Sequence, residues 1–135
     1  MNLAAPSIVV GGGTSPAAPF QSFREHVVKA FDLTDSAIAN LTQAPGMMNI
    51  MDSGLIATLD AKAAVSELGL ALMQDAPESG IAAARSAADL LATGVNALTN
   101  RVNGPLNVTA IADLFTDAKS QMQVALDSVG AAQPR

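Results

Sequence analysis

Apolar and small residues recur along residues 20–130 in alternating steps of three and four, with polar residues between them. Residues 78–102 place them without a miss at Ile81, Ala84, Ala88, Leu91, Val95, Leu98 and Val102. Residues 107–130 repeat the spacing at Val108, Ile111, Phe115, Ala118, Met122, Ala125 and Val129. A period of about 3.5 residues forms a heptad seam, along which helices pack nearly parallel with a shallow crossing. The pattern predicts a small bundle or helical hairpins.

Two earlier segments carry the same rhythm with more small and polar positions. Residues 52–74, with the residue before them, show it at Met51, Gly54, Thr58, Ala61, Val65, Leu68 and Leu72. Residues 20–42 show it, with one slip, at Phe20, Phe23, Val27, Ala30, Thr34, Ile38 and Leu41. Because Ala, Gly and Thr occupy many of these positions, we expect close helix packing around a thin core.

Helix-breaking residues fall between the four periodic segments and predict where each helix ends. Prolines at positions 45, 77 and 105 separate them, since the residue before a proline avoids the helical region. Asp52 or Ser53 can cap the second helix, Glu78 opens the third, and Asn107 or Thr109 can cap the fourth. Gly130 is a natural residue to follow the last helix. The prediction is an all-α domain of four helices over residues 20–130, followed by a short tail at 131–135.

Residues 1–19 differ from the rest in composition. They hold three prolines, the triplet Gly11 to Gly13 and no charged residue. So few apolar groups cannot offset the roughly 1–2 kcal/mol per residue lost on ordering a backbone, and we expect a flexible N-terminal arm in a lone molecule. In an assembly, the arm is expected to contact a neighbour through its apolar residues Leu3, Ile8, Val9 and Val10.

Several large apolar residues lie outside the seams. They are Leu55, Ile56, Leu59, Leu70, Met73 and Leu90. Surplus apolar surface of this kind either packs into an internal four-helix core or marks a partner surface. Met47, Met48 and Met51 cluster near Pro45, where flexible thioether side chains fit either a partner contact or the domain's own core. The sequence leaves both alternatives open.

Composition and charge exclude several classes of protein. The chain has 135 residues, a net charge of −5 and seven scattered Lys or Arg, whereas nucleic-acid binding requires clustered cations. No apolar run approaches the roughly 20 residues of a membrane span. The lack of basic face residues and of Trp argues against peripheral lipid contact. No cleaved signal peptide is predicted, which leaves a cytoplasmic location or leaderless export.

No constellation of residues indicates catalysis, a metal site or a cofactor. His26 is the only histidine, and the sequence does not group it with a nucleophile and an orienting carboxylate. With one histidine and no cysteine, a tetrahedral zinc site lacks a ligand set. The run Gly11 to Thr14 lacks the lysine of a phosphate-binding loop. We therefore expect a protein that is not an enzyme.

The Ala-rich helices with few aromatic residues predict a structural subunit that associates with itself through its seams. The seam residues expected to make this contact are Ile81, Ala84, Ala88, Leu91, Val95, Leu98, Val108, Ile111, Phe115 and Met122. The general plan is similar to the helical-hairpin subunits of bacterial secretion needles, inner rods and flagellar-type filaments, an analogy of fold alone. The alternative is a helical binding module, such as a secretion chaperone, adaptor or regulator, that receives a partner helix. A coat on lipid or a storage granule is a third, weaker hypothesis.

Overall fold

The protein is all-α, as the seams predict. A computed structural model describes residues 20–42, 50–99 and 108–132. Within these ranges there are four helices and no strand. The helices are α1 (Gln21–Thr42), α2 (Ile50–Ala71), α3 (Glu78–Thr99) and α4 (Val108–Ala132).

The four helices surround one core. Helix α1 packs against α2 and α4, and α3 packs against the same two helices. Contacts between opposite ends show that neighbours run antiparallel: His26 at the start of α1 meets Glu67 near the end of α2, and Ser36 near the end of α1 meets Asp60. The arrangement is an up-down-up-down four-helix bundle, the topology favoured by short connections.

The helix ends agree with the predicted breaks to within a few residues. Helix α3 begins at Glu78 as predicted, and the Pro77 carbonyl accepts its first hydrogen bond, from the Ile81 amide at 3.0 Å. Helix α2 stops at Ala71, where a turn replaces the predicted continuation to residue 74. Gly130 was expected after α4 but lies inside it, because packing of the preceding turn carries the helix on. The breaks near Pro45 and Pro105 lie outside the described residues.

The predicted seam of α4 coincides with the side chains that the structure buries. Those buried in α4 are Ile111, Phe115, Ala118, Met122, Ala125 and Val129, whereas Val108 is half-buried. Each turn of α4 presents at least one large group to the core, so its periodicity could be read without ambiguity.

The other three seams differ from the prediction at some positions: at alternate positions in α3, at two positions in α2 and at one position in α1. In α3 the buried stripe is Gly80, Ala84, Ala87, Leu91, Gly94 and Leu98, in place of one through Ile81, Ala88 and Val95, which are half-buried. In α2, Ala57, Ala64 and Ala71 are buried, whereas Val65 and Leu72 are half-buried. In α1, Ala37 replaces Ile38, which removes the predicted slip. Except at Ala87 and Ala88, which are equal in size, the smaller residue of each pair is buried and the larger one is half-buried at the flank.

Two of these central positions are glycines, each closely approached by a side chain of another helix. A methyl group added at Gly94 would overlap the Phe115 ring of α4. One added at Gly80 would lie 2.5 Å from the Ser128 hydroxyl oxygen and 3.4 Å from the Phe23 ring. Gly94 therefore provides the space into which the fully buried Phe115 ring packs, and Gly80 provides space for the Ser128 hydroxyl.

The one polar side chain at the centre of α1 satisfies its own hydroxyl. Thr34 is fully buried, and its Oγ1 donates a 2.8 Å hydrogen bond to the Ala30 carbonyl one turn earlier. This local bond lets a polar residue occupy a seam position without a partner from another helix.

Candidate interaction surface

Large apolar side chains remain exposed on one helix in particular. On α2 and the turn that follows it, the exposed fractions are 58% for Leu55, 46% for Ile56, 57% for Leu59, 42% for Leu70 and 77% for Met73. All five belong to the large apolar residues that lie outside the seams in the sequence. The sixth, Leu90 on α3, is half-buried and packs against the core. A single chain therefore leaves most of the surplus in contact with solvent.

The geometry of α2 explains why these side chains cannot reach the core. Successive residues of an α-helix are rotated by about 100°. The residues that α2 buries in the core are Ala57, Ala61, Ala64, Leu68 and Ala71. The positions on the opposite side of the helix are Leu55, Leu59, Lys62, Ala63, Ser66 and Leu70. Together with Met73 of the turn after α2, they are called here the α2 outer face. Because one helical face is already committed to the core, this second apolar face points away from the bundle.

A shallow groove borders the α2 outer face on the side of α3. It has a volume of about 290 Å³ and is lined by Lys62, Val65, Ser66, Ala92, Val95 and Asn96. Lys62 is the one charged residue of this lining, and Val65 and Val95 are its largest apolar residues. The groove widens the apolar surface beyond α2 alone.

On the side of α1, polar contacts border the same face. His26 Nδ1 lies 2.7 Å from Glu67 Oε1. Asp60 Oδ2 accepts a 2.6 Å hydrogen bond from Ser36 Oγ and a 3.5 Å bond from Asn40 Nδ2. These pairs could not be predicted from the sequence, because they join residues 20 to 41 positions apart. They fix α1 against α2 and hold the α2 outer face in its orientation.

The α1–α4 side of the bundle carries a smaller apolar patch. Val28 is 40% exposed and Val124 is 48% exposed. A groove of about 140 Å³ lies nearby, lined by Val28, Phe31, Gln123 and Leu126. Lys119 of α4 pairs with Asp35 of α1 and lies 5.0 Å from the centre of the Phe31 ring. Since α2 and α3 form the opposite side of the bundle, the two grooves lie on opposite sides.

The residues predicted to mediate self-association lie in the core of the bundle or at its flank, away from the exposed apolar surface. Ala84, Leu91, Leu98, Ile111, Phe115 and Met122 are buried in the core of one chain, and Ile81, Ala88, Val95 and Val108 flank that core. The seams of one chain therefore pack against one another. Self-association through them stays an untested prediction. A surface that two folded copies can share must lie elsewhere.

The remaining predicted contacts fall on parts of the chain without described side chains. Leu3 and Ile8 to Val10 of the N-terminal arm lie outside the described residues, as do Met47 and Met48. Met51 lies within α2, but its side chain is not among those described.

The described residues contain no group of three or more His, Cys, Asp or Glu side chains positioned to hold a metal ion. None of the helices in residues 20–42, 50–99 and 108–132 is both long and apolar enough to cross a membrane. Comparison of the chain with protein-family models, with curated proteins and with solved structures finds no match.

Proposed function

We propose that the protein is a non-enzymatic structural subunit that associates with itself through the α2 outer face. The observation that carries this proposal is the exposure of Leu55, Leu59, Leu70 and Met73 on the side of α2 opposite the core. Contiguous exposed apolar surface is typical of protein interaction sites. Fully burying a Leu or Met side chain contributes about 1.5–3 kcal/mol, so covering the exposed part of each supports association at roughly 1 kcal/mol per side chain.

A needle, rod or filament component is the polymeric version of this proposal. Unlimited growth requires two different complementary surfaces, whereas one self-complementary surface closes into a dimer. The exposed Val28 and Val124 on the α1–α4 side support a second surface. Growth beyond the dimer therefore depends on that side of the bundle.

The experiment is sedimentation equilibrium over a range of protein concentrations. We expect the mass of the unsubstituted protein to rise with concentration. The double variant Leu59→Gln/Leu70→Gln should stay monomeric, because glutamine keeps helix propensity and adds no charge while removing the apolar contact. The matched control Val28→Gln/Val124→Gln should still form dimers and lose only any growth beyond them. Equal masses for the unsubstituted protein and the α2 variant would refute the proposal.

The second candidate function is a binding module whose α2 outer face receives a helix of another protein. The net charge of −5 provides a means of separating the two candidates. Two acidic copies repel each other, so added salt should maintain or strengthen self-association. Binding of a basic helix should instead weaken as salt rises. A protein that stays monomeric at all salt concentrations favours the binding module.

A further inference from the structure

The two methionines whose side chains the structure describes differ completely in their access to solvent. Met73, in the turn after α2, is 77% exposed, the largest exposed fraction of any large apolar side chain in the described residues. Met122 of α4 is fully buried in the core. An oxidant must reach a thioether sulfur to react with it, so exposure decides which of the two methionines is oxidised.

Backbone hydrogen bonds place Met73 at one end of the α2 outer face. Its amide donates a 3.1 Å bond to the Leu70 carbonyl, and the Gln74 amide donates a 2.9 Å bond to the Ala71 carbonyl. Each bond spans three residues, so the turn sets Met73 about one turn beyond Leu70, which is itself 42% exposed. These bonds join backbone atoms alone, so the turn does not depend on the Met73 sulfur.

We infer that Met73 is a site of reversible oxidation that controls contact through the α2 outer face. The inference rests on the proposed function and adds a means of regulating that same surface. The oxidant is of the peroxide class. The sulfur lone pair attacks one peroxide oxygen, the O–O bond breaks, and the hydroxide that leaves takes up the remaining hydrogen. The thioether has then lost two electrons and become a sulfoxide, and hydrogen peroxide has been reduced to water. Methionine sulfoxide reductases restore the thioether.

The sulfoxide opposes association because it is polar at a position where the contact is apolar. The thioether of Met73 extends the apolar surface of Leu55, Leu59 and Leu70, and covering it removes that surface from water. A sulfoxide oxygen binds water, and covering it against an apolar partner breaks those hydrogen bonds without replacing them. We expect oxidation to raise the dissociation constant of the assembly by roughly fivefold or more.

Oxidation at Met73 should leave the bundle folded. Its side chain is mostly in solvent, where a sulfoxide keeps its hydrogen bonds to water. A sulfoxide at Met122 would instead place a polar group in the core. The exposed site therefore lets an oxidant act on the surface without acting on the fold.

Selective oxidation is tested on the full chain with dilute hydrogen peroxide. Peptide mass spectrometry follows sulfoxide formation at each of the six methionines over time. We expect Met73 to be oxidised several-fold faster than Met122. The rate at Met73 should fall as protein concentration rises, because association covers its sulfur. Equal rates at Met73 and Met122 would overturn the inference.

The effect on association is measured by sedimentation equilibrium before oxidation, after it, and after treatment with methionine sulfoxide reductases. We expect the mass to fall on oxidation and to recover on reduction, with an unchanged circular dichroism spectrum. Met73→Leu is the matched variant, because leucine keeps the apolar volume and does not react with peroxide. Its association should resist the treatment. If Met73→Leu loses association as the unsubstituted protein does, a different methionine is responsible and the inference is wrong.

The same measurements distinguish failure of this inference from failure of the proposed function. Association that rises with concentration but is unchanged by sulfoxide at Met73 would refute the regulatory site and leave the subunit proposal standing. If the unsubstituted protein never associates, the proposed function is wrong. Oxidation of Met73 then has no assembly to control, and the inference is wrong with it.

Discussion

The Phe115 ring of α4 packs directly over Gly94 of α3, at a point where even a methyl group would overlap it. Gly94 is buried and Phe115 is fully buried, so an aromatic side chain on one helix is matched by the missing side chain on the next. This relationship aligns the antiparallel pair α3–α4. It also explains why a helix interior tolerates a glycine, whose usual cost is about 0.5–1 kcal/mol relative to alanine.

Gly94→Ala should therefore lower the free energy of unfolding, by roughly 1–3 kcal/mol, because it overfills a packed core. Gly69→Ala is the matched control. Gly69 lies within α2 with nothing within 4 Å of an added methyl group, so this substitution should raise stability by about 0.5–1 kcal/mol. Urea unfolding followed by circular dichroism measures both. Equal effects of the two substitutions would show that the Phe115 ring does not depend on the space at Gly94.

The register of the α3 seam is tested by two adjacent alanines. Ala87 is fully buried, whereas its neighbour Ala88 is half-buried. Ala87→Leu should destabilise the bundle by roughly 1–3 kcal/mol through overpacking, and Ala88→Leu should have a smaller effect. Thermal unfolding of the two variants compares them. If Ala88→Leu proves the more damaging, the seam follows the register expected from the sequence rather than the one in the structure.

Thr34 provides a test of the core that does not change its volume. Its hydroxyl donates a hydrogen bond to the Ala30 carbonyl of its own helix, and that bond links no second helix. Thr34→Val keeps the β-branched shape and removes a buried polar group, so the free energy of unfolding should stay the same or rise by up to about 1 kcal/mol. Denaturant unfolding gives the value. A loss of 2 kcal/mol or more, on the scale of a buried group left unsatisfied, would indicate that this hydroxyl has an essential role in the core.

The N-terminal arm is expected to contribute to assembly rather than to folding. Deleting residues 2–15 removes Leu3 and Ile8 to Val10 but none of the four helices. Helical content by circular dichroism should be unchanged, and light scattering should show weaker assembly than the full chain at the same concentration and salt. Equal assembly by both proteins would mean that the arm makes no contact between subunits, and would favour the binding module.

The sequence predicted the number of helices and the places where α3 and α4 begin because each depends on local signals, such as Pro77 or the heptad spacing of α4. It misplaced alternate core positions in α3, two in α2 and one in α1, because alanine and glycine carry little hydrophobic signal. Ala87 and Gly94 are central only because Phe115 and its neighbours on another helix occupy the adjoining space. Packing between side chains of different helices cannot be predicted from the sequence of one helix alone.

The candidate surface was visible in the sequence only as a surplus of apolar residues. Leu55, Leu59 and Leu70 could be identified as lying outside the seam, but whether a four-helix core absorbs them depends on how the helices close. Closure of α1 against α4 fills the core and leaves these side chains outside. Leu90 has the same character in the sequence and is nevertheless half-buried, because it lies at the flank of α3 against its neighbours.

The most direct test of the central claim is a dilution series of two-dimensional nuclear magnetic resonance spectra that record every backbone amide. As concentration rises, we expect shifts to change for the amides around Leu55, Leu59, Ser66 and Leu70, and to remain constant around Gly94 and Phe115 in the core. That result would place self-association on the α2 outer face of an intact bundle. Concentration-dependent shifts concentrated in the α3–α4 seam, or spectra that do not change with concentration, would contradict the account.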